Sequence, residues 1–287
     1  MKKMFMAVIA FMMTISASAQ FYIYFSDGTV AKVDSISMVA PEEPEQADPS
    51  AGIGVFSVAE GKTVTFSPGN LQYTQSTNTW SFATEQYNII GTSNIQDNSL
   101  SDTIDLFTWG SGNNPMGCAT TTFVDWGTNT IDGVIGGTWR TMNQTEWNYL
   151  INQRENASNL IGIAQIENIN GLIILPDHWI NPAGISFKSG FHQNSGSIYY
   201  AEQQRYTIQE WKIMESAGAI FIPAAGCRTE LEYSGENEHG YLWLPDTPSL
   251  MVHFNSKGIS TNSKPRPSTG TITFGRGNSV RLVKNLK

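Results

Sequence analysis

Two segments of the chain combine a helix-capping signature with an apolar stripe. In the first, Asn143 is a good helix N-cap, and Glu146, three residues later, can return a hydrogen bond to the backbone N–H of the cap. Its apolar residues recur at intervals of three and four positions, on one helical face: Trp147, Leu150 and Ile151. We therefore predict a helix from Asn143 to about Arg154, with Trp139 just ahead of it.

The second segment has the same construction. Thr207 is the predicted cap, Glu210 closes the capping box, and Trp211 and Met214 face inward. Gly218 stands where a left-handed residue ends a helix, so we predict a helix over residues 207–217. Both helices need an apolar surface on which to bury their stripes.

Short strands are the predicted source of that surface. Apolar residues alternate with polar ones, or form short runs rich in β-branched residues, at 55–58, 64–66, 70–73, 80–82, 172–175, 219–222, 241–244, 250–254 and 280–283. Long polar stretches separate them. Residues 91–137 are predicted to be an ordered, loop-rich layer in which Trp109 and Trp126 pack with Phe107 and Phe123, and residues 255–270 a surface loop.

The first 54 residues follow a different pattern. Lys2 and Lys3 precede a short apolar run, and small residues follow at 17–19, which is typical of a cleaved signal peptide over residues 1–19. We predict a β-hairpin within residues 20–40, turning at Asp27-Gly28, and a proline-rich acidic linker at 41–54. The main domain is then 55–287, and the mature protein is expected in the periplasm, at the cell surface or outside the cell.

Composition narrows the class of partner. Hydrophobic residues make up 40% of the 287 residues and charged residues only 15%, with a formal net charge of −8. An acidic chain repels phosphate backbones, so nucleic acid is a poor candidate. No segment has the ~18 consecutive apolar residues of a transmembrane helix.

Five motifs then occur in a fixed order along the chain: Phe123-Val-Asp-Trp-Gly127, Trp139-Arg-Thr with Glu146-Trp147, Gly171-Leu-Ile-Ile-Leu-Pro-Asp177, Ala217-Gly-Ala with Pro223-Ala-Ala-Gly226, and Ser279-Val-Arg-Leu-Val283. Together they resemble a family of exported bacterial proteins of largely unknown function. That family is distantly similar to the formylglycine-generating enzyme (sulfatase-modifying factor) and to the C-type lectin-like fold. In the superfamily, Arg-x-Pro-x-x-x-Glu-Trp begins a helix; here Arg140, Glu146 and Trp147 match, without the proline.

The resemblance implies a fold for residues 55–287. It is α+β and C-type-lectin-like: loop-rich, with two main helices and small antiparallel sheets, and the N-terminal β-hairpin precedes it. A β-sandwich with decorating helices is the competing architecture. The two predicted helices distinguish them.

The resemblance to the formylglycine-generating enzyme also implies copper-dependent oxidation by two closely spaced thiols. The chain has only Cys118 and Cys227, far apart in sequence. In an exported protein two cysteines more often form a structural disulfide, which is our prediction for this pair. Two free thiols, or a metal-binding or redox pair, are the alternatives.

No cofactor is predicted from the other side chains. Four histidines show no metal-ligand spacing and are expected to be scattered: His178, His192, His239 and His253. Four glutamates form a predicted acidic loop: Glu230, Glu232, Glu236 and Glu238. Alternate carboxylates such as these can bind calcium, but the loop has neither an EF-hand pattern nor the calcium motifs of sugar-binding C-type lectins.

The tryptophans supply the remaining signal for a binding site. Those of the helices, Trp139, Trp147 and Trp211, are expected in the core. Trp243, Tyr241 and Trp109 are the predicted ligand-binding aromatics, with Trp243 the most exposed. Without a nucleophile–base motif, the sequence favours a non-catalytic binding protein for a glycan or a surface protein. A copper-dependent oxidase, or a structural subunit whose hairpin adds a strand to a neighbour, are the alternatives.

Overall fold

The structure, a computed structural model, describes residues 54–117, 122–191, 204–229, 232–264 and 275–286, together with the backbone of 21–24 and 30–33. The chain divides into two compact units, Met1–Asp48 and Pro49–Lys287. In the first unit, strand β1 (Phe21–Tyr24) pairs antiparallel with strand β2 (Val30–Val33). The predicted signal peptide and most of the predicted linker lie outside the described residues.

The second unit is α+β and consists mostly of short strands. In chain order its elements are β3 Phe56–Ala59, β4 Lys62–Phe66, β5 Leu71–Thr74, β6 Thr79–Phe82, β7 Ile95–Gln96, β8 Ser99–Leu100, β9 Thr103–Ile104, β10 Arg140–Thr141, α1 Gln144–Asn152, β11 Ile161–Ile166, β12 Ile169–Ile174, β13 Arg205–Tyr206, α2 Ile208–Ser216, β14 Ile220–Pro223, β15 Ala225–Thr229, β16 Glu232–Glu236, β17 Gly240–Trp243, β18 Met251–Asn255, β19 Gly258–Ser263 and β20 Leu282–Asn285. Short 3-10 turns lie at Gly91–Asn94, Trp126–Thr128 and Ala157–Asn159.

Both predicted helices are confirmed, and each begins with the predicted capping box. The side chain of Asn143 accepts a hydrogen bond from the backbone N–H of Glu146 at 2.9 Å, and the Glu146 carboxylate accepts one from the N–H of Asn143 at 3.0 Å. Thr207 and Glu210 exchange the same two bonds at the start of α2. These bonds satisfy backbone donors that a helix start otherwise leaves without partners.

The sheet β13-β11-β12-β14 has an apolar cluster on each face. One cluster contains the α1 residue Trp147 and the sheet residues Ile161, Ile163, Leu172, Ile174, Ile220 and Ile222. The other contains Trp211 and Met214 of α2 with Ala164, Ile166, Ile173 and Phe221. Because successive strand residues point to opposite faces, two covered faces require the continuous apolar runs that the sequence shows.

The predicted aromatic layer is also confirmed. Phe123 packs between two tryptophans, with ring centroids 5.3 Å from Trp109 and 5.5 Å from Trp126. Phe107 lies 6.3 Å from Trp126. The backbone around these rings is irregular, so the buried aromatic side chains supply the packing that holds this layer together.

Two polar stretches that the sequence presents as loops contain strands. The acidic loop includes β16, and the stretch predicted as a surface loop after residue 255 includes β19. These strands are the two edges of the five-stranded sheet β16-β15-β17-β18-β19. An edge strand with polar side chains carries no apolar alternation, so the hydrophobic pattern did not reveal it.

Candidate functional site

Two of the three predicted ligand-binding aromatics belong to the core. The Trp243 side chain is 3% exposed and donates its indole N–H to the carbonyl of Phe107 at 2.6 Å. Trp109 is 5% exposed and donates to the carbonyl of Leu244 at 2.8 Å. The expectation that Trp243 is the most exposed tryptophan is therefore wrong, because β17 lies inside its sheet and that face is covered.

The predicted helix tryptophans differ among themselves. Trp147 and Trp211 are buried as expected. Trp139 is only partly buried and packs edge-on against Phe82, with ring centroids 5.2 Å apart. It therefore caps the aromatic cluster from the outside.

Tyr241 is the predicted aromatic that borders a cavity. It is half-buried and lines a cleft of about 510 Å³ on the five-stranded sheet. The described residues around this cleft are Cys227, Thr229, Ser234, His239, Tyr241, Met251, His253, Ser263, Lys264 and Arg276. This volume lies within the range of small-molecule sites.

Two histidines meet in the cleft, against the expectation that the histidines are scattered. Tyr241 and His253 are direct cross-strand partners, and their rings stack at 4.7 Å with an interplanar angle of 13°. His239, two residues before Tyr241, lies on the same side of the sheet, and its Nδ1 is 3.0 Å from Nε2 of His253. One ring nitrogen therefore donates to the other. His178 is exposed elsewhere, and His192 lies outside the described residues.

Two positively charged side chains also line the cleft. The Arg276 guanidinium lies 4.5 Å from the centre of the Tyr241 ring, and its Nε donates to Asn278 at 3.1 Å. Arg276 is 7% exposed, and its Nη2 is a buried donor without a hydrogen-bond partner in the structure. Lys264 follows β19 and is exposed. No described lining residue carries a carboxylate.

The bond between Cys118 and Cys227 stays a prediction, because only one of the two cysteines is described. Cys227 is a buried, free cysteine on the wall of the cleft. Cys118 lies outside the described residues. No group of three or more His, Cys, Asp or Glu side chains is arranged to hold a metal ion in the described part of the chain.

A larger cleft, of about 730 Å³, lies beside the 3-10 turn at Gly91–Asn94. Its described lining is mainly uncharged and includes Gln72, Gln96 and Asp102. Both carboxylate oxygens of Asp102 already accept hydrogen bonds from Ser76, at 2.7 and 2.8 Å. The smaller cleft concentrates more ionisable and aromatic groups, so it is the stronger candidate site.

Three buried ionisable residues outside the cleft differ in the ion pairs and hydrogen bonds that they form. Arg154 forms an ion pair with Asp177 at 3.0 Å, and burial lowers the pKa of its guanidinium. Burial raises the pKa of the Asp105 carboxyl, which accepts bonds from the N–H of Ile90 and from Asn94. Burial lowers the pKa of Arg281 to about 9. None of these residues lines the candidate cleft.

Comparison with known proteins adds no relative: no family model, curated protein or solved structure is detectably similar to the chain. Within the described residues, no helix has the length and apolar character needed to cross a bilayer.

Proposed function

We propose that this chain is an exported, non-catalytic binding protein, acting at the cell surface or outside the cell, whose ligand is a glycan held in the Tyr241 cleft. We assign its main domain to the C-type-lectin-like class. The two capped helices and the small sheets of an α+β unit are consistent with that assignment.

The observation that carries the proposal is the polar, concave wall of the cleft. Three hydroxyl side chains, Thr229, Ser234 and Ser263, border it together with the two imidazoles and the two cations. Sugars present many hydroxyl groups to such donors and acceptors. A surface protein as ligand would require a broad, flatter contact, whereas a cleft of about 510 Å³ accommodates one or two sugar residues.

A glycan array tests this proposal. The mature protein should bind a defined subset of glycans, and Ser234→Phe should abolish that binding by filling the cleft from an exposed edge strand. Ser158→Phe is the matched control, since Ser158 is exposed and neither it nor its neighbours in sequence belong to the described lining of the cleft. Absence of any glycan binding, or equal loss in both variants, refutes the proposal.

Copper-dependent oxidation stays the second candidate because of one observation. Cys227 is a free thiol that lines the same cleft as His239 and His253, and thiolate and imidazole are the side chains that copper prefers. A peptide-oxidation assay with and without copper distinguishes the two functions. Copper-dependent activity that disappears in Cys227→Ser would refute the non-catalytic proposal.

A structural subunit is the third alternative. In that case the hairpin region at residues 20–40 would add a strand to the sheet of a neighbouring chain. Deletion of this region would then change assembly, as measured by light scattering, without changing glycan binding.

A further inference from the structure

We propose that the cleft recognises an acidic group on its glycan, a carboxylate or a sulfate ester, and that the His239–His253 pair takes up a proton as this group binds. The inference rests on the proposed function and specifies the ligand's chemistry. It follows from the charges in the cleft and from the geometry of the pair.

The first argument is the charge of the cleft compared with that of the chain. The chain has a formal net charge of −8, so it is acidic on average. The described lining of the cleft instead contains Lys264 and Arg276 and no carboxylate. Two cations and no carboxylate among the described lining residues favour an anionic ligand group, and an anion within reach of both gains charge-assisted hydrogen bonds.

The second argument is the buried guanidinium. Arg276 is more than nine-tenths buried, and its Nη2 has no hydrogen-bond partner in the structure. A buried donor without a partner costs free energy, and the cost is larger when the donor is charged. An anionic oxygen that enters the cleft beside Tyr241 offsets this cost, either by direct contact or through the charge alone.

The third argument concerns the proton. Two neutral imidazoles that share one N–H···N hydrogen bond have one further basic ring nitrogen, and a proton that binds there leaves the shared bond in place. On the edge strand β16, Glu232 lies opposite the lining residue Thr229. The titratable and charged side chains that line the cleft with the pair among the described residues are Cys227, Tyr241, Lys264 and Arg276. Exposed Glu238 adjoins it in sequence.

Without a bound anion, electrostatic repulsion by Lys264 and Arg276 disfavours a positive charge on the histidine pair. A bound anion offsets this repulsion, so anion binding and protonation favour each other. Affinity for an acidic sugar should therefore rise as the pH falls, by at most about tenfold per pH unit for one proton. Affinity for a neutral sugar should not depend on pH in this way.

The experiment is titration calorimetry of the full mature chain with matched sugars. The probes are glucose, glucuronic acid and glucose 6-sulfate, and the corresponding galactose set. We expect an acidic member to bind at least roughly tenfold more tightly than its neutral counterpart, as one charge-assisted hydrogen bond provides. The carboxylate and sulfate arms identify which acid the cleft prefers.

Two pairs of variants locate the effect. Lys264→Gln should weaken binding of the acidic sugar about tenfold more than it weakens binding of the neutral sugar. Lys257→Gln removes an equally exposed charge from the turn before β19, outside the described lining, and should have no effect. His253→Asn should remove the pH dependence between about pH 7.5 and about pH 5.5, the range in which histidine titrates, whereas His178→Asn should retain it.

Proton uptake can be measured on the unmodified protein, so this test does not depend on whether a variant folds. Calorimetry in two buffers of different ionisation enthalpy should show uptake of a fraction of a proton on binding the acidic sugar. Equal affinity for acidic and neutral sugars overturns the inference but leaves the proposed function standing. No proton uptake overturns the role of the histidines, and absence of binding by every sugar overturns the proposed function itself.

Discussion

Arg281 is a fully buried cation whose hydrogen bonds are incompletely satisfied. Its Nη2 donates to the Gln86 side chain at 2.5 Å, while Nε and Nη1 have no partner in the structure. The Gln86 oxygen also accepts a bond from the N–H of Phe221, so it would keep a partner without the arginine. Burying charge with so few partners costs more free energy than the one hydrogen bond returns.

We therefore predict that Arg281→Met raises the free energy of unfolding by about 1–2 kcal/mol, since an apolar side chain of similar length removes the buried charge. Arg154→Met is the matched comparison. This variant leaves the Asp177 carboxylate without its cation and should lower the free energy of unfolding by about 3 kcal/mol. Urea denaturation measures both. A destabilised Arg281→Met would mean that the guanidinium is better satisfied than its contacts indicate.

The same residue gives a pH dependence with a definite sign. Burial lowers the pKa of Arg281 from 12.5 to about 9, so the folded protein releases this proton while the unfolded chain keeps it. The unfolded state then binds more protons, and stability rises with pH. Relative to Arg281→Met, the wild type should gain about 1 kcal/mol between pH 8 and pH 10. Parallel urea titrations at both pH values measure this difference, and a constant difference would contradict the assignment.

At the scale of the element, the backbone donors in the first turn of α1 find acceptors in two parts of the chain. Asn143 and Glu146 form the capping box, and Asp246 accepts a bond from the N–H of Gln144 at 2.9 Å. Glu146 also forms a bidentate pair with Arg140, at 2.7 and 2.6 Å. A carboxylate near a helix N-terminus is stabilised by the helix dipole as well as by these bonds.

We predict that Asn143→Ala lowers the free energy of unfolding by about 1 kcal/mol, the usual cost of losing an N-cap. Asn148→Ala, within the same helix, is the control. It removes only a side-chain bond with Asn152, and alanine is the better helix former, so its effect should be near zero or slightly stabilising. Thermal unfolding followed by circular dichroism compares the two. Equal losses of stability in the two variants would show that the effect of Asn143→Ala does not come from the missing N-cap.

The helices were predictable because their signals are local. A cap, a glutamate three residues on and an apolar stripe all lie within one segment, as Thr207, Glu210 and Trp211 show. The edge strands β16 and β19 were not predictable in this way. Their polar side chains are exposed on alternate positions, and what makes them strands is hydrogen bonding to neighbours elsewhere in the chain.

The candidate site was only partly predictable for the same reason. Tyr241 was selected from the sequence, but its stack with His253 depends on the register between β17 and β18. His239 and Tyr241 alternate in the sequence, and this was the available signal that their rings share a face. Arg276 comes from a segment far along the chain. Trp243 was misjudged because the sequence does not show that β17 is an inner strand.

At the scale of the whole molecule, the described residues of the three apolar clusters belong to the unit Pro49–Lys287. We therefore predict that this unit, expressed alone, unfolds within about 2 °C of the mature chain, a shift that corresponds to less than 1 kcal/mol for a domain of this size. Differential scanning calorimetry provides the comparison. A clearly lower midpoint would show that the N-terminal segment contributes to the stability of the unit.

The pairing of β4 with β20 determines when folding can be completed. Val283 pairs with Phe66, roughly two hundred residues earlier in the chain, so this sheet has a very long loop to close. Contacts of such sequence separation make folding slow, on the scale of milliseconds to seconds. During synthesis, the edge of β4 that pairs with β20 has no partner until β20 has left the ribosome. β20 also pairs with β10, so the two halves of the sheet β10-β20-β4-β3 stay unjoined until then.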